Sequence, residues 1–135
     1  MVYKIWIGID VIKKEYPLSN LTEQIISCAF EVYNQLGYGL PEKVYQKALA
    51  KNLEDKNLLY DREKYSLIKF NSCPVGKFFL DFLVENKVAV ELKVRNEIYE
   101  TDMTQLLNYL KSEKLKIGLL LVFTNKGVKI KRLIN

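Results

Sequence analysis

Apolar residues recur at helical spacing in three stretches of the chain and at strand spacing in the remainder. Ile25, Ala29, Val32 and Leu36 predict a helix opened by Asn20, with Glu23 completing a capping box and Gly37 ending it. Pro41 suits the first turn of a second helix, whose face carries Tyr45, Ala48, Leu49 and Leu53 and which frays near Asn57. The period then changes to two. Residues 65–70, 77–84 and 88–94 predict a three-strand meander, with a turn over Asn71-Ser72-Cys73-Pro74 and another around Glu85-Asn86-Lys87. Thr101 is expected to cap a third helix bearing Met103, Leu106, Leu107 and Leu110. Residues 117–123 are continuously apolar, as in the centre of a sheet, and Asn125-Lys126-Gly127 turns into a last strand, 128–133. At the other end, residues 2–7 read as an extra strand or arm, followed by a charged, proline-containing link from Asp10 to Ser19. The order is strand, two helices, three strands, helix, two strands. It predicts an α/β fold with a mixed central sheet flanked by helices.

At 135 residues the chain has the size of one domain, and 49% hydrophobic with 27% charged residues is an ordinary globular balance. No apolar run approaches the ~20 residues of a membrane helix, and the first residues lack the parts of a signal peptide. Two cysteines, Cys28 and Cys73, are too few for a disulfide framework, so a cytoplasmic home is expected. There is no histidine. Imidazole-based nucleophile pairs and histidine zinc sites are therefore excluded, and any catalysis must use carboxylates, lysine or a hard metal. The net charge of +5 permits a polyanionic partner. Lys111, Lys114, Lys116, Lys126, Lys129, Lys131 and Arg132 make the last quarter basic, opposed by Glu113. Phosphate contact is one reading of that quarter, and lysines guarding an edge strand are the other.

The chemistry concentrates between Asp81 and Lys93. Glu91 and Lys93, interleaved with Val90, Leu92 and Val94, fall on one strand face. If the hairpin loop holds Glu85, Asn86 and Lys87, Asp81 faces Glu91; with a loop of Asn86-Lys87 the register slips and Asp81 turns to the opposite side. Opposed carboxylates repel unless one is protonated or a cation lies between them, and a hard divalent ion prefers such oxygens. The competing account is a solvated sheet face with cross-strand ion pairs, each worth ~0.2–1 kcal/mol.

Asp81 followed by Glu91-Leu92-Lys93 on a strand resembles the Asp…Glu-x-Lys signature of the PD-(D/E)XK nuclease superfamily. Gly39-Leu40-Pro41-Glu42-Lys43-Val44-Tyr45 resembles the Gly-x-x-Glu-x-x-aromatic segment of the GxxExxB family within it, and Gln105 with Tyr109 resembles its Gln-x-x-x-Tyr helix. The resemblance runs from about residue 21 to 133. It implies a restriction-endonuclease-like core and a Mg²⁺- or Mn²⁺-dependent nuclease acting on nucleic acid, with DNA as the expected partner. Asp81, Glu91, Glu42 and the Leu92 carbonyl would be metal ligands; Lys93 would present the attacking water, and Gln105 would join the catalytic set. Tyr109, Lys111, Lys114, Lys126 and Lys129 would contact the nucleic acid. A homodimer is compatible, since many such nucleases cut two strands as dimers. The chain departs from the pattern in lacking the family's histidines, in carrying Leu80 rather than proline before Asp81, and in having too few cysteines for an iron–sulfur cluster. A nucleic-acid-binding or protein-interaction module on the same fold is the alternative.

Overall fold

The computed structural model describes residues 18–135 and the backbone of 2–7. Its elements in chain order are β1 (Val2–Ile7), α1 (Ser19–Leu36), α2 (Glu42–Asp55), β2 (Tyr60–Phe70), β3 (Cys73–Val84), β4 (Val88–Val94), α3 (Glu100–Glu113), β5 (Ile117–Thr124) and β6 (Gly127–Ile134). The strands form one mixed sheet in the order β1-β6-β5-β4-β3-β2, in which β4 and β5 run parallel. A parallel pair needs a crossover, and α3 supplies it. The expected α/β architecture is the one observed.

Alternation in the strands sorts side chains to two layers. Val88, Val90 and Leu92 of β4, with Leu119, Leu121 and Phe123 of β5, pack beneath Ile25, Ala29, Tyr45 and Leu49 of α1 and α2. Ala89, Leu120 and Val122 project the other way against Leu106, Leu107 and Leu110 of α3. Strand β5 is thus buried on both faces, which explains its unbroken apolar sequence. Gly118 lets α3 come close: a Cβ there would stand 3.1 Å from Leu106.

Several boundaries differ from expectation. Helix α1 begins at Ser19, with Leu18 in the N-cap place and no side-chain cap, so Asn20 lies in the first turn and the capping box does not form. Helix α3 starts at Glu100 after Tyr99, so Thr101 is likewise inside it. The β2–β3 ribbon is longer than the apolar alternation suggested, and turns through Asn71 and Ser72, both at positive φ as a tight hairpin requires. Strand β1 pairs antiparallel with β6, with Val2 opposite Ile134, which makes it part of the sheet. Residues 10–17, most of the expected link from Asp10 to Ser19, lie outside the described residues.

Candidate active site

The β3–β4 hairpin settles the register. Val84 pairs with Val88, Leu83 with Ala89 and Phe82 with Val90, leaving Glu85, Asn86 and Lys87 as the loop. Extending that register puts Asp81 opposite Glu91. The ladder stops just short of this pair, and side chains take over from backbone. The Asp81 N–H donates to Glu91 Oε1 at 2.8 Å, and the Leu92 N–H donates to Asp81 Oδ2 at 2.8 Å. Each carboxylate therefore holds the neighbouring strand in place of a carbonyl. Across the ribbon the regular pairing of β2 with β3 also skips the Glu63–Asp81 position, where Glu63 adopts positive φ.

Glu91 is 6% exposed. Burial first, and the Asp81 charge second, push its carboxyl from an ordinary value up to about 8. Burial raises Asp81 as well, against the lowering effects of the Leu92 N–H and of Lys93. The Lys93 ammonium lies 3.9 Å from Glu91 Oε2, so one amine faces the buried pair. Glu42 opens α2, and Gln46, one helical turn on, shares its face. Gln46 Nε2 donates to Glu42 Oε2 at 3.4 Å and to Asp81 Oδ1 at 3.3 Å, joining the helix acid to the strand acid.

The turn before α2 is built to present Glu42. Gly37 and Gly39 have φ of +70° and +111°, conformations that a side chain disfavours. The buried Tyr45 clamps the loop: its hydroxyl donates to the Gly37 carbonyl at 2.5 Å and accepts from the Leu40 N–H at 3.2 Å. Its ring meets Phe123 edge-on, 4.9 Å between centroids. The glycines and the aromatic residue around Glu42 thus set backbone geometry.

A sequence model of the PD-(D/E)XK nuclease superfamily matches residues 19–133. The chain belongs to that superfamily. Among solved structures, the crystal structure of SSO0001 resembles it with a TM-score of 0.57 and 19% identity, over 87% of this chain and 59% of that one. That likeness is one of fold, and the chain spans less than two thirds of the SSO0001 chain. No curated protein matches the chain.

The donor set of this PD-(D/E)XK chain suits a hard divalent ion. It consists of carboxylate oxygens whose mutual repulsion a cation would relieve. Among the described residues, no three acidic, cysteine or histidine side chains already stand at ligand spacing. The Gln46 amide hydrogen-bonds to both Glu42 and Asp81. Leu92 is fully buried, with its N–H committed to Asp81.

The other expected site residues are scattered. Gln105 is exposed and lines a groove of about 370 Å³ between α3 and the β2–β3 ribbon, together with Ser66, Phe78 and Asn108. Tyr109 lines the same groove but is 2% exposed, and its ring stacks at a tilt on Phe78. It is a core residue, and burial raises its hydroxyl to about 12. Lys111 and Lys114 lie at the end of α3 that leads into β5, whereas Lys126 and Lys129 follow the far end of β5. Register puts Lys93 beside Val122 and Val122 beside Lys129, so the second group shares the Lys93 end of the sheet. Lys129 Nζ donates to the Asn96 carbonyl there. Lys131 and Arg132 are 6% and 2% exposed, and Arg132 donates to Thr22 of α1, so the basic quarter is not one continuous surface. Sequence reasoning missed Gln46, although its spacing of four from Glu42 is the same signal that joined Gln105 to Tyr109.

Proposed function

We propose that the chain is a single-domain, metal-dependent phosphodiesterase that cleaves DNA, and that the GxxExxB segment places it in that branch of the superfamily. The observation that carries this reading is the reciprocal cross-link of Asp81 and Glu91, with Lys93 3.9 Å from the glutamate. A buried acid pair of this kind costs the fold stability at neutral pH unless a proton or a cation lies between the acids, and holding a cation is a role its chemistry suits. Asp81 and Glu91, with Glu42 after Gln46 moves aside, would hold Mg²⁺ or Mn²⁺, and the Leu92 carbonyl would complete the set. The ion would neutralise charge on the phosphate and make water more acidic. Lys93 would orient the attacking water and hold negative charge as it develops on phosphorus-bound oxygen. Gln105, which lines the groove on the α3 side of the β2–β3 ribbon, would reach a part of the substrate that extends beyond the acid pair. The free thiols of Cys28 and Cys73 suit a reducing compartment such as the cytoplasm.

The test is cleavage of labelled single- and double-stranded DNA in Mg²⁺ and Mn²⁺ by the wild type, Asp81→Asn and Lys93→Ala. Metal-dependent cleavage lost in both variants supports the proposal; cleavage unchanged in both rejects it. The position of Gln46 favours a second reading, a nucleic-acid-binding module without turnover. Salt-dependent DNA binding with no cleavage in either metal would select it.

A further inference from the structure

One face of the β2–β3 ribbon carries aromatic side chains that nothing covers. Tyr65 and Phe79 are direct cross-strand partners with ring centroids 5.9 Å apart, and they are 51% and 57% exposed. Leu67 and Lys77 form the next pair on that side, and Lys77 Nζ stands 4.6 Å over the Tyr65 ring. The alternate residues point the other way: Ser66 reaches Ser112 and Phe78 reaches Tyr109, both on α3. The Tyr65–Phe79 face is therefore turned away from α3, and α1 and α2 leave it open.

Position relative to the acid pair gives this face its meaning. Phe79 precedes Asp81 by two residues, roughly 7 Å along the strand. Gln46 of α2 reaches Asp81, so the aspartate opens toward the helix layer opposite α3, the side to which Phe79 also points. A patch of this kind could meet a second copy, but a two-fold contact centred on the Tyr65–Phe79 pair would bring the two Lys77 ammoniums together. A polyanion is the better electrostatic match. A duplex keeps its bases stacked inside and would leave these rings wet, whereas an unpaired base offers a π-face to an aromatic platform.

We propose that Tyr65 and Phe79 form a stacking platform for an unpaired base of a single-stranded or frayed nucleic acid, whose backbone continues to Asp81 and Glu91. The proposal rests on the nuclease reading of that acid pair and adds the substrate class.

Fluorescence anisotropy with a labelled oligothymidine and with a blunt duplex, in metal-free buffer, tests it. Tyr65→Ala and Phe79→Ala are expected to weaken oligothymidine binding roughly ten- to hundredfold while changing duplex binding little. Phe79→Trp should retain affinity, and its fluorescence should be quenched when the oligonucleotide binds. Phe70→Ala, at the ribbon tip, controls for general loss of apolar surface. Oligothymidine affinity within twofold of wild type in both alanine variants overturns the platform, as does wild-type preference for the duplex. Sedimentation showing a dimer that the alanine variants dissociate also overturns it, in favour of a second copy. Cleavage is scored separately. A wild type that binds oligothymidine through these residues but never cuts would sink the hydrolase reading and leave the platform; cleavage unaffected in the alanine variants, with unaltered binding, would do the reverse.

Discussion

Without metal, the fold should lose stability as pH rises from about 5.5 to about 8.5, and Glu91 should account for most of the loss. Its carboxyl moves from 4.5 to about 8 on folding. A raised carboxyl value means that the native state holds its proton where the unfolded chain has released it. Stability is then complete below the unfolded value and is lost as pH climbs through the folded one. At about 1.4 kcal/mol per unit, the part of the shift that lies above pH 5.5 is worth roughly 3 kcal/mol. Asp81, also raised, adds in the same direction. That is a large share of a typical domain stability of about 5–15 kcal/mol. The window is clean, because the chain has no histidine and the raised Cys28 thiol adds to the loss only above about pH 8, where the unfolded thiol begins to ionise.

The assay is urea unfolding in chelator at the two pH values, on the wild type and on Glu91→Gln. With a slope of about 1–3 kcal/mol per molar, the wild-type midpoint should fall by roughly 1–3 M, and the glutamine variant, which keeps an acceptor for the Asp81 N–H, should stay nearly flat. Millimolar Mg²⁺ at the higher pH should restore the wild type and leave the variant unmoved, because a cation replaces the proton between the acids. A wild-type midpoint that does not move with pH, or a variant that falls as far, refutes the buried-acid argument.

Two further outcomes follow from the geometry. Gln46→Glu should put a third carboxylate between Glu42 and Asp81 and tighten Mn²⁺ binding by roughly tenfold in calorimetry, while lowering the metal-free unfolding midpoint; unchanged affinity would mean that α2 stands outside the metal's reach. In DNA binding, Lys129→Ala should reduce the salt slope by about one while Lys114→Ala leaves it in place, since β5 separates their ends by roughly 26 Å and Lys129 lies on the Lys93 side. Equal effects of the two substitutions would put the nucleic acid across both ends.

Much of the fold was legible because each element obeys its local rule. The apolar period changes from about four to two at the right places, and the strand that lacks any polar position is the one buried on both faces. Failures occurred where a neighbour, rather than the segment itself, sets the environment. Asp61-Arg62-Glu63-Lys64 has no apolar alternation, yet it continues β2 because β3 offers it a ladder at the sheet edge. Lys131 and Arg132 read as phosphate contacts or as edge-strand charges, but β1 occupies that edge and Arg132 donates to Thr22 of α1, so both become interior. Tyr109 sits between Leu107 and Leu110, and Phe78 of β3 meets its ring, which makes it part of the core. The facing of Asp81 and Glu91 depended on a single loop residue, which side-chain periodicity alone leaves open.

The same cross-link decides how the acids should be probed. In an uninterrupted antiparallel ladder the Asp81 and Leu92 N–H groups would find carbonyls, and the carboxylates would be free to turn outward. Here each carboxylate takes one of those donors. The arrangement fixes an oxygen of each acid to a strand and leaves the second oxygen for Gln46 or Lys93. Fixing donors in advance lowers the reorganisation needed to hold a cation, at the cost of two ladder bonds and a buried repulsion. An alanine at either position therefore removes a strand link together with a ligand, and a dead variant could be an unfolded one. Asparagine at residue 81 and glutamine at residue 91 keep an acceptor for the N–H and discard the charge. Folded, inactive amide variants would assign the loss to cation chemistry, whereas active ones would show that the carboxylates serve the hairpin alone.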